Sequence, residues 1–303
     1  MTIVQLEYLL SVADNGSFSA AADYCHVTQP SLSVQIKNLE EELGVVLLNR
    51  NEKPLTLTAM GSVVAEQARE AISDFHSIGQ KVNDAKKEVA GTLRLAVIPT
   101  IAPYILHLFL PKFIKRYPKV EVEIKEMFTR DIAVALRRGT VDIGILAGGF
   151  LDSSEVDEEI LYKDKFYLYV SPDSPLRGRQ WADVKDLDLD NLLLLADGHC
   201  LRSQVLDLCK VARLSGRAMN FESGSLETIV RMVSTTGGMT IVPEMATPYV
   251  SDKSRDCLIS FKESLGATRD ITIAVDKNFY KKAIYKALKN EILEMHKMQY
   301  FLI

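Results

Sequence analysis

Gly16-Ser17-Phe18-Ser19-Ala20-Ala21-Ala22, followed after Asp23-Tyr24 by Cys25-His26-Val27-Thr28-Gln29-Pro30-Ser31-Leu32-Ser33, decides how the start of the chain folds. Ser17 is placed to cap a helix from Phe18 to Tyr24, whose alanine run leaves little side-chain bulk and permits close packing against another helix. Thr28 reads as the N-cap of a further helix. Pro30 is tolerated in its first turn, where an N–H would have no intrahelical partner, and Leu32, Ile36, Leu39 and Leu43 face inward. Upstream, Leu6, Leu9, Leu10 and Ala13 repeat at helical spacing until Asn15-Gly16 stops the pattern. Three short helices so arranged read as a helix-turn-helix. Downstream, Val45-Val46-Leu47-Leu48 and Leu55-Thr56-Leu57-Thr58 flank Asn49 to Pro54, a strand-turn-strand pattern that forms a wing and closes a domain over residues 1–58.

Residues 59–90 carry Val64, Ala68, Ala71, Phe75, Ile78 and Val82 every three or four positions, a seam seeking a partner helix. A helix of about 30 residues is about 45 Å long, further than a small domain reaches. From Gly91 the chain alternates: strand Thr92 to Ile98, helix Ala102 to Arg116, strand Val120 to Glu126, helix Arg130 to Arg138, strand Val141 to Leu146. This order predicts a mostly parallel sheet. Phe166 to Val170, Leu192 to Leu195, Met239 to Val242 and Ile271 to Val275 read as strands; Arg202 to Leu214, Leu226 to Ser234 and Lys281 to Met298 read as helices. Residues 91–303 are expected to form two α/β lobes around a cleft, one of about 91–163 and 269–303, the other of about 164–268.

The 303 residues are 47% hydrophobic and 25% charged, an ordinary globular composition that excludes disordered and fibrous classes. The start shows no basic leader before an apolar run, and no stretch has the roughly 20 apolar residues of a membrane span, so a cytoplasmic protein without membrane contact is expected. The formal charge is −4, and residues 1–58 alone hold three basic against seven acidic side chains. Any nucleic-acid contact must therefore rest on local pattern. The five histidines are scattered without metal-ligand spacing, and no glycine-rich phosphate loop is present, so neither metal nor cofactor is expected.

The Gly16–Ala22 and Val27–Ser33 runs, with Leu39-Glu40-Glu41-Glu42-Leu43-Gly44, resemble the winged helix-turn-helix of LysR-type transcriptional regulators. The resemblance extends over essentially the whole chain. It implies an α/β fold class with an N-terminal winged helix-turn-helix, a long linker helix and a two-lobed periplasmic-binding-protein-like regulatory domain. It also implies a homodimer or homotetramer on double-stranded promoter DNA, acting on RNA polymerase. The third helix would then present Thr28, Gln29, Pro30, Ser31, Ser33 and Gln35 to the major groove, with Arg50 and Lys53 on the wing. Family members often carry arginine after Ser33, where Val34 stands here. Non-specific binding is expected to be weak, because it depends on neutralising phosphate charge.

Four cysteines, Cys25, Cys200, Cys209 and Cys257, are too few for a disulfide framework in a chain of this length. Cys25 and Cys257 read as small buried hydrophobes. Cys200 differs: it starts an amphipathic helix (Leu201, Val205, Leu208, Ala212), His199 precedes it and Arg202 follows. A helix N-terminus and basic neighbours favour the thiolate, which is the nucleophile. Nine residues further on, Cys209 would lie about 13.5 Å along that helix and on its opposite face, whereas a disulfide needs Cα atoms within about 7 Å. Pairing the two requires the helix between them to unwind.

The run Asp197-Gly198-His199-Cys200-Leu201-Arg202-Ser203-Gln204, with Cys209 and Ser225-Leu226-Glu227-Thr228, resembles the redox loop of the peroxide-sensing members of the LysR family. The resemblance implies hydrogen peroxide as the signal, Cys200 as peroxidatic and Cys209 as resolving cysteine, a disulfide between them, and activation of antioxidant genes. It also implies that Thr100, Thr129, His199, Arg202, Ser225 and Arg269 surround the peroxide. Other readings are that Thr100 and Thr129 are helix caps, Arg269 a surface ion pair and Ser225 an N-cap. A regulator that binds an organic metabolite in the interlobe cleft is the main alternative. A thiol peroxidase would leave the first 90 residues without a role, so an enzyme is not expected.

Overall fold

The structure, a computed structural model, describes residues 1–85, 88–154, 156–209 and 222–299. The chain divides into two compact units, Met1–Lys87 and Glu88–Ile303. In the first, α1 (Ile3–Asn15), α2 (Phe18–Tyr24) and α3 (Gln29–Leu43) precede a two-stranded wing of β1 (Leu48–Asn49) and β2 (Thr56–Leu57), and α4 (Ala59–Ala85) follows. Thr2, Ser17 and Thr28 each cap the helix they precede by accepting a backbone N–H. Gly16 ends α1 at φ 66°, and a Cβ there would meet Pro54 at 2.8 Å, so conformation and space both require glycine. Leu9, Val12, Ala21, Leu32, Ile36, Leu39 and Leu47 form a buried core to which α4 contributes Ala68. Further along α4, Phe75, Ile78 and Val82 are exposed within the single chain.

The second unit opens with β3 (Gly91–Val97), α5 (Ala102–Arg116), β4 (Val120–Glu126), α6 (Thr129–Arg137) and β5 (Ile143–Ala147). β3 pairs in parallel with both β4 and β5. β6 (Val156–Val170) is one long strand, of which the sequence pattern suggests only the last third, Phe166 to Val170. After β7 (Trp181–Ala182) and β8 (Leu194–Leu195) come α7 (Cys200–Leu208), β9 (Glu222–Ser223), α8 (Leu226–Thr236) and β10 (Met239–Pro243). β11 (Leu258–Phe261), β12 (Thr268–Asp276) and α9 (Lys282–Gln299) complete the described chain.

The sheet order is β4-β3-β5-β12-β6-β11-β7, with β10 also on β6. β12 is antiparallel to β5 and β6, and β10 and β11 are antiparallel to β6, so the sheet is mixed rather than mostly parallel. The reason is that β12 runs back between β5 and β6, and β10 and β11 run back along β6. Along β6, Val156 to Lys165 pair with β12 and Phe166 to Val170 pair with β10 and β11. This exchange of partners divides the unit into halves, α5, α6 and α9 lying with β3–β5 and β12, and α7 and α8 with β8–β10. The helix expected to run to Leu214 is described to Leu208, and residues 210–214 lie outside the described residues.

Candidate functional site

Gly198, at φ 97°, turns the chain into His199, the N-cap of α7, and Cys200 is the first helical residue. α6 begins at Thr129, with Phe128 as its N-cap. The two helix starts meet: Cys200 Sγ lies 3.0 Å from Thr129 Oγ1. Phe128 packs edge-on against the His199 imidazole, ring centroids 4.8 Å apart. Burial pushes the Cys200 thiol above its ordinary pKa, while the Thr129 hydrogen bond and the charges of Arg269 and Arg130 oppose that rise. Cys200 therefore rests as a thiol, with its groups for stabilising a thiolate already in place.

Behind this contact is a buried ionic network. Arg269, on β12, donates from Nε and Nη2 to Asp164 Oδ2 at 3.0 and 2.8 Å, and from Nη1 and Nη2 to Thr100 Oγ1 and Thr100 O at 3.1 and 3.2 Å. Asp164 Oδ1 accepts the Met245 backbone N–H at 3.2 Å. These bonds use four of the five guanidinium N–H groups, and the fifth, on Nη1, meets no acceptor among the described residues. Tyr104 is buried nearby, its hydroxyl pushed up to about 12 by burial, with Glu227 adding to the rise and Arg269 opposing it.

Thr100 and Thr129 are not helix caps: the caps of α5 and α6 are Ile101 and Phe128. Arg269 is no surface ion pair, being 2% exposed. Arg202, expected to support the thiolate, instead bonds Asp197 Oδ1 and Leu195 O, both at 2.8 Å, and ties the loop before α7 to the helix. His199 is buried and its pKa lowered by that burial, so it brings a neutral imidazole rather than the expected positive charge. Its Nε2 has no hydrogen-bond partner among the described residues. Ser225 is exposed and caps α8 by accepting the Thr228 N–H at 3.3 Å. Cys209 is the buried C-cap of α7, still helical at φ −75° and ψ −10°, and its thiol too is pushed up by burial. Both cysteines are free.

Sequence reasoning missed Asp164, Arg130, Tyr104 and Phe128. Asp164 had a signal: Tyr162, Asp164, Phe166 and Leu168 alternate along β6 and are all buried, which places a carboxylate in an apolar face. Such a charge requires a buried partner. No cluster of metal-ligating side chains and no helix long and apolar enough to cross a membrane occurs among the described residues.

In the first unit, Thr28, Gln29, Pro30 and Ser31 are exposed at the start of α3, and Ser33 and Gln35 are half-buried. Several acidic side chains of this unit are engaged in ion pairs or backbone contacts away from the start of α3. Asp14 pairs with Arg69 at 2.9 Å, and Glu41 with Lys37 at 3.4 Å. Glu40 accepts the Leu47 and Leu48 N–H groups and pairs with Arg50 at 2.8 Å. Gln29 to Asn38 contains no acidic residue. Arg50 also lies over the Phe18 ring, 5.4 Å from its centroid, which fixes the guanidinium on the wing; Lys53 is exposed at the turn.

Residues 3–62 match the family described as bacterial regulatory helix-turn-helix protein, lysR family, and residues 86–296 match the LysR substrate binding domain. The chain is a LysR-type regulator of the OxyR group. The regulator is 36% identical to the hydrogen peroxide-inducible genes activator of Dickeya chrysanthemi, over 86% of this chain and 84% of that protein. It is 35% identical to the DNA-binding transcriptional dual regulator OxyR of Escherichia coli K12, over the same shares of the two chains. A full-length cysteine-to-aspartate variant of OxyR from Pseudomonas aeruginosa superimposes with a TM-score of 0.79 at 30% identity, covering 96% of the regulator and 94% of that chain. A cysteine-to-serine OxyR variant from Corynebacterium glutamicum, described as bound to H2O2, superimposes with a TM-score of 0.65 at 27% identity, covering 98% and 93% of the two chains.

Proposed function

We propose that this regulator senses hydrogen peroxide through Cys200, converts the event into a Cys200–Cys209 disulfide, and thereby activates antioxidant genes. The observation that carries the reading is the contact of Cys200 Sγ with Thr129 Oγ1 at the meeting of two helix starts, in the field of the buried Arg269. Sulfur attacks one peroxide oxygen, the O–O bond breaks, and the thiol proton leaves with the departing hydroxide as water, giving a sulfenic acid. The free Nη1 N–H of Arg269 and the hydroxyls of Thr129 and Thr100 supply hydrogen bonds to the developing negative charge. His199 is a neutral hydrogen-bonding wall of the pocket. Arg202 and Ser225 act indirectly, by holding the loop before α7 and the start of α8.

The Cys209 thiol then displaces the sulfenic oxygen as a second water. Since the two cysteines stand at opposite ends of α7, about 13.5 Å apart along its axis, this step requires α7 to unwind. The refolded segment changes how the second units associate, and so the spacing of the DNA contacts. The exposed Phe75, Ile78 and Val82 stripe of α4 pairs two copies, and two such dimers form a cytoplasmic homotetramer on promoter DNA that acts on RNA polymerase. An acidic metabolite as effector is disfavoured because a carboxylate needs two parallel N–H groups from Arg269, and four of its five are already engaged by Asp164 and Thr100.

Mass-spectrometric thiol mapping after stoichiometric peroxide tests the proposal. The expected products are Cys200 sulfenic acid, then a Cys200–Cys209 disulfide with Cys25 and Cys257 unchanged; an unmodified Cys200 would overturn it. Cys200→Ser should abolish peroxide-induced transcription while leaving DNA binding intact.

A further inference from the structure

We infer that Val34 contacts a thymine methyl group in the major groove and is a specificity-determining residue of the DNA half-site. The inference rests on the DNA-binding reading and deepens it. Leu32, Ile36 and Leu39 bury one side of α3, while Gln29, Pro30, Ser31, Val34, Lys37 and Asn38 are exposed. With about 3.6 residues per turn, Pro30 and Ser31, then Val34, then Lys37 and Asn38 follow one another along a single solvent-facing side. Val34 is 54% exposed at the centre of that side, in the stretch that holds no acidic residue.

A single exposed apolar side chain is ordinary on a protein surface. On the face of a recognition helix it acquires a consequence. Major-groove edges display hydrogen-bond donors and acceptors, which valine cannot satisfy, and one apolar group, the thymine C5 methyl. Covering a polar edge with Val34 costs desolvation without a bond in return, whereas covering the methyl removes apolar surface from water on both partners.

The neighbouring residue supports this from hydrogen bonding. Gln5 Oε1 accepts the Thr2 N–H at 2.9 Å in the capping box of α1, so Gln5 Nε2 is the group that donates to Gln35 Oε1 at 3.2 Å. That leaves Gln35 with N–H donors to offer outward. The two-bond contact of glutamine with adenine uses the carbonyl oxygen as acceptor, and here one of the two lone pairs of that oxygen is already taken by Gln5. Residues 34 and 35 therefore place an apolar group beside amide donors, and thymine is the base that offers a methyl and an acceptor together.

The test uses the full-length protein and the duplex it enriches from a random-sequence library. Each thymine of one half-site is replaced in turn by deoxyuridine, which removes the methyl and leaves all base pairing. At one position wild-type affinity should fall about four-fold, the factor expected for one lost buried methyl. Val34→Ser should bind the thymine and uracil duplexes equally. If wild type is indifferent to every replacement, or if Val34→Ser shows the same four-fold loss, the inference is overturned. Enrichment of no duplex would instead overturn the DNA-binding reading, and this inference with it.

Discussion

At Cys200 three influences oppose one another: burial holds the proton on sulfur, while the Thr129 hydroxyl and the Arg269 charge favour its loss. Thr129→Val keeps the shape and removes the hydroxyl, so the thiol pKa should rise further and oxidation by peroxide should slow about 3- to 10-fold at pH 7, the equivalent of one hydrogen bond. The sign of the pH dependence follows from the raised pKa. Below it the thiolate fraction grows tenfold per pH unit, so the wild-type rate should still be climbing at pH 8, and above both pKa values the gap to Thr129→Val should narrow to the part that the hydroxyl contributes to the departing oxygen. Stopped-time alkylation of unreacted Cys200 across pH 6–10 measures this; a wild-type plateau below pH 8 would contradict it. The cysteine pair and its spacing were legible in the sequence itself, whereas Thr100, Thr129 and Arg269, far from Cys200 along the chain, were reached through the family resemblance alone. The sources of the electrostatics at Cys200 were not legible. His199 and Arg202 flank Cys200 in sequence, yet one is buried neutral and the other is turned onto Asp197, whereas the charges that act on the thiol come from Arg269 and Arg130. Burial and side-chain direction are tertiary properties that adjacency along the chain does not reveal.

The element that must unwind, α7, is poorly fitted to its own dipole. Its first turn has no acidic residue, its last turn no basic one, and His199 makes no side-chain cap, while Asp207 places a negative charge where the carbonyl ends already point. Only Leu201 and Val205 of its apolar face are buried together with the Cys209 cap. Asp207→Lys should stabilise the helix by about 0.5–1 kcal/mol. Since the sulfenic acid forms with α7 intact and the disulfide only after it opens, the substitution should leave the first oxidation rate unchanged and slow disulfide formation about 2- to 5-fold. Dimedone labelling of the accumulating sulfenic acid separates the two steps; equal slowing of both would argue that unwinding precedes attack by peroxide. Sequence periodicity found this helix and its cysteine geometry. It missed the first two thirds of β6, Val156 to Lys165, because Asp157-Glu158-Glu159 interrupts the apolar alternation that marks a strand, and here backbone pairing with β12 sets the structure in spite of that.

On the scale of the whole molecule, the Arg269–Asp164 pair links the two halves of the second unit. Arg269 holds Thr100, in the half containing β3, and Asp164 holds the Met245 N–H, in the half containing β10. With side chains 0% and 1% exposed, neither charge is screened by water. Arg269→Met should cost about 3–5 kcal/mol by leaving a lone buried carboxylate, and adding Asp164→Leu should recover much of that loss, because an apolar pair needs no charge compensation. Urea unfolding of the full-length single and double variants checks this. A double variant less stable than Arg269→Met would show that the pair contributes net stability instead of orienting the site.

DNA binding also has to be argued for the whole molecule, since it couples an acidic first unit to an acidic chain. Residues 1–58 carry Lys37, Arg50 and Lys53 as their cations, and the first two are paired with Glu41 and Glu40. Phosphate neutralisation by n cations gives a salt slope of about −0.9n in log affinity against log salt concentration, so even full engagement of all three yields about −2.7 per domain. On a random duplex of about 20 base pairs, room for two domains one helical turn apart, the slope should be no steeper than about −5. Val34→Arg adds one cation to the exposed face of α3 in each domain and should steepen the slope by about 2 while strengthening binding to the random duplex. Fluorescence anisotropy titrations between 50 and 200 mM salt decide the matter. A wild-type slope well beyond −5 would mean that cations outside the winged helix-turn-helix reach the DNA, and affinity for random sequence would then not depend on so few charges.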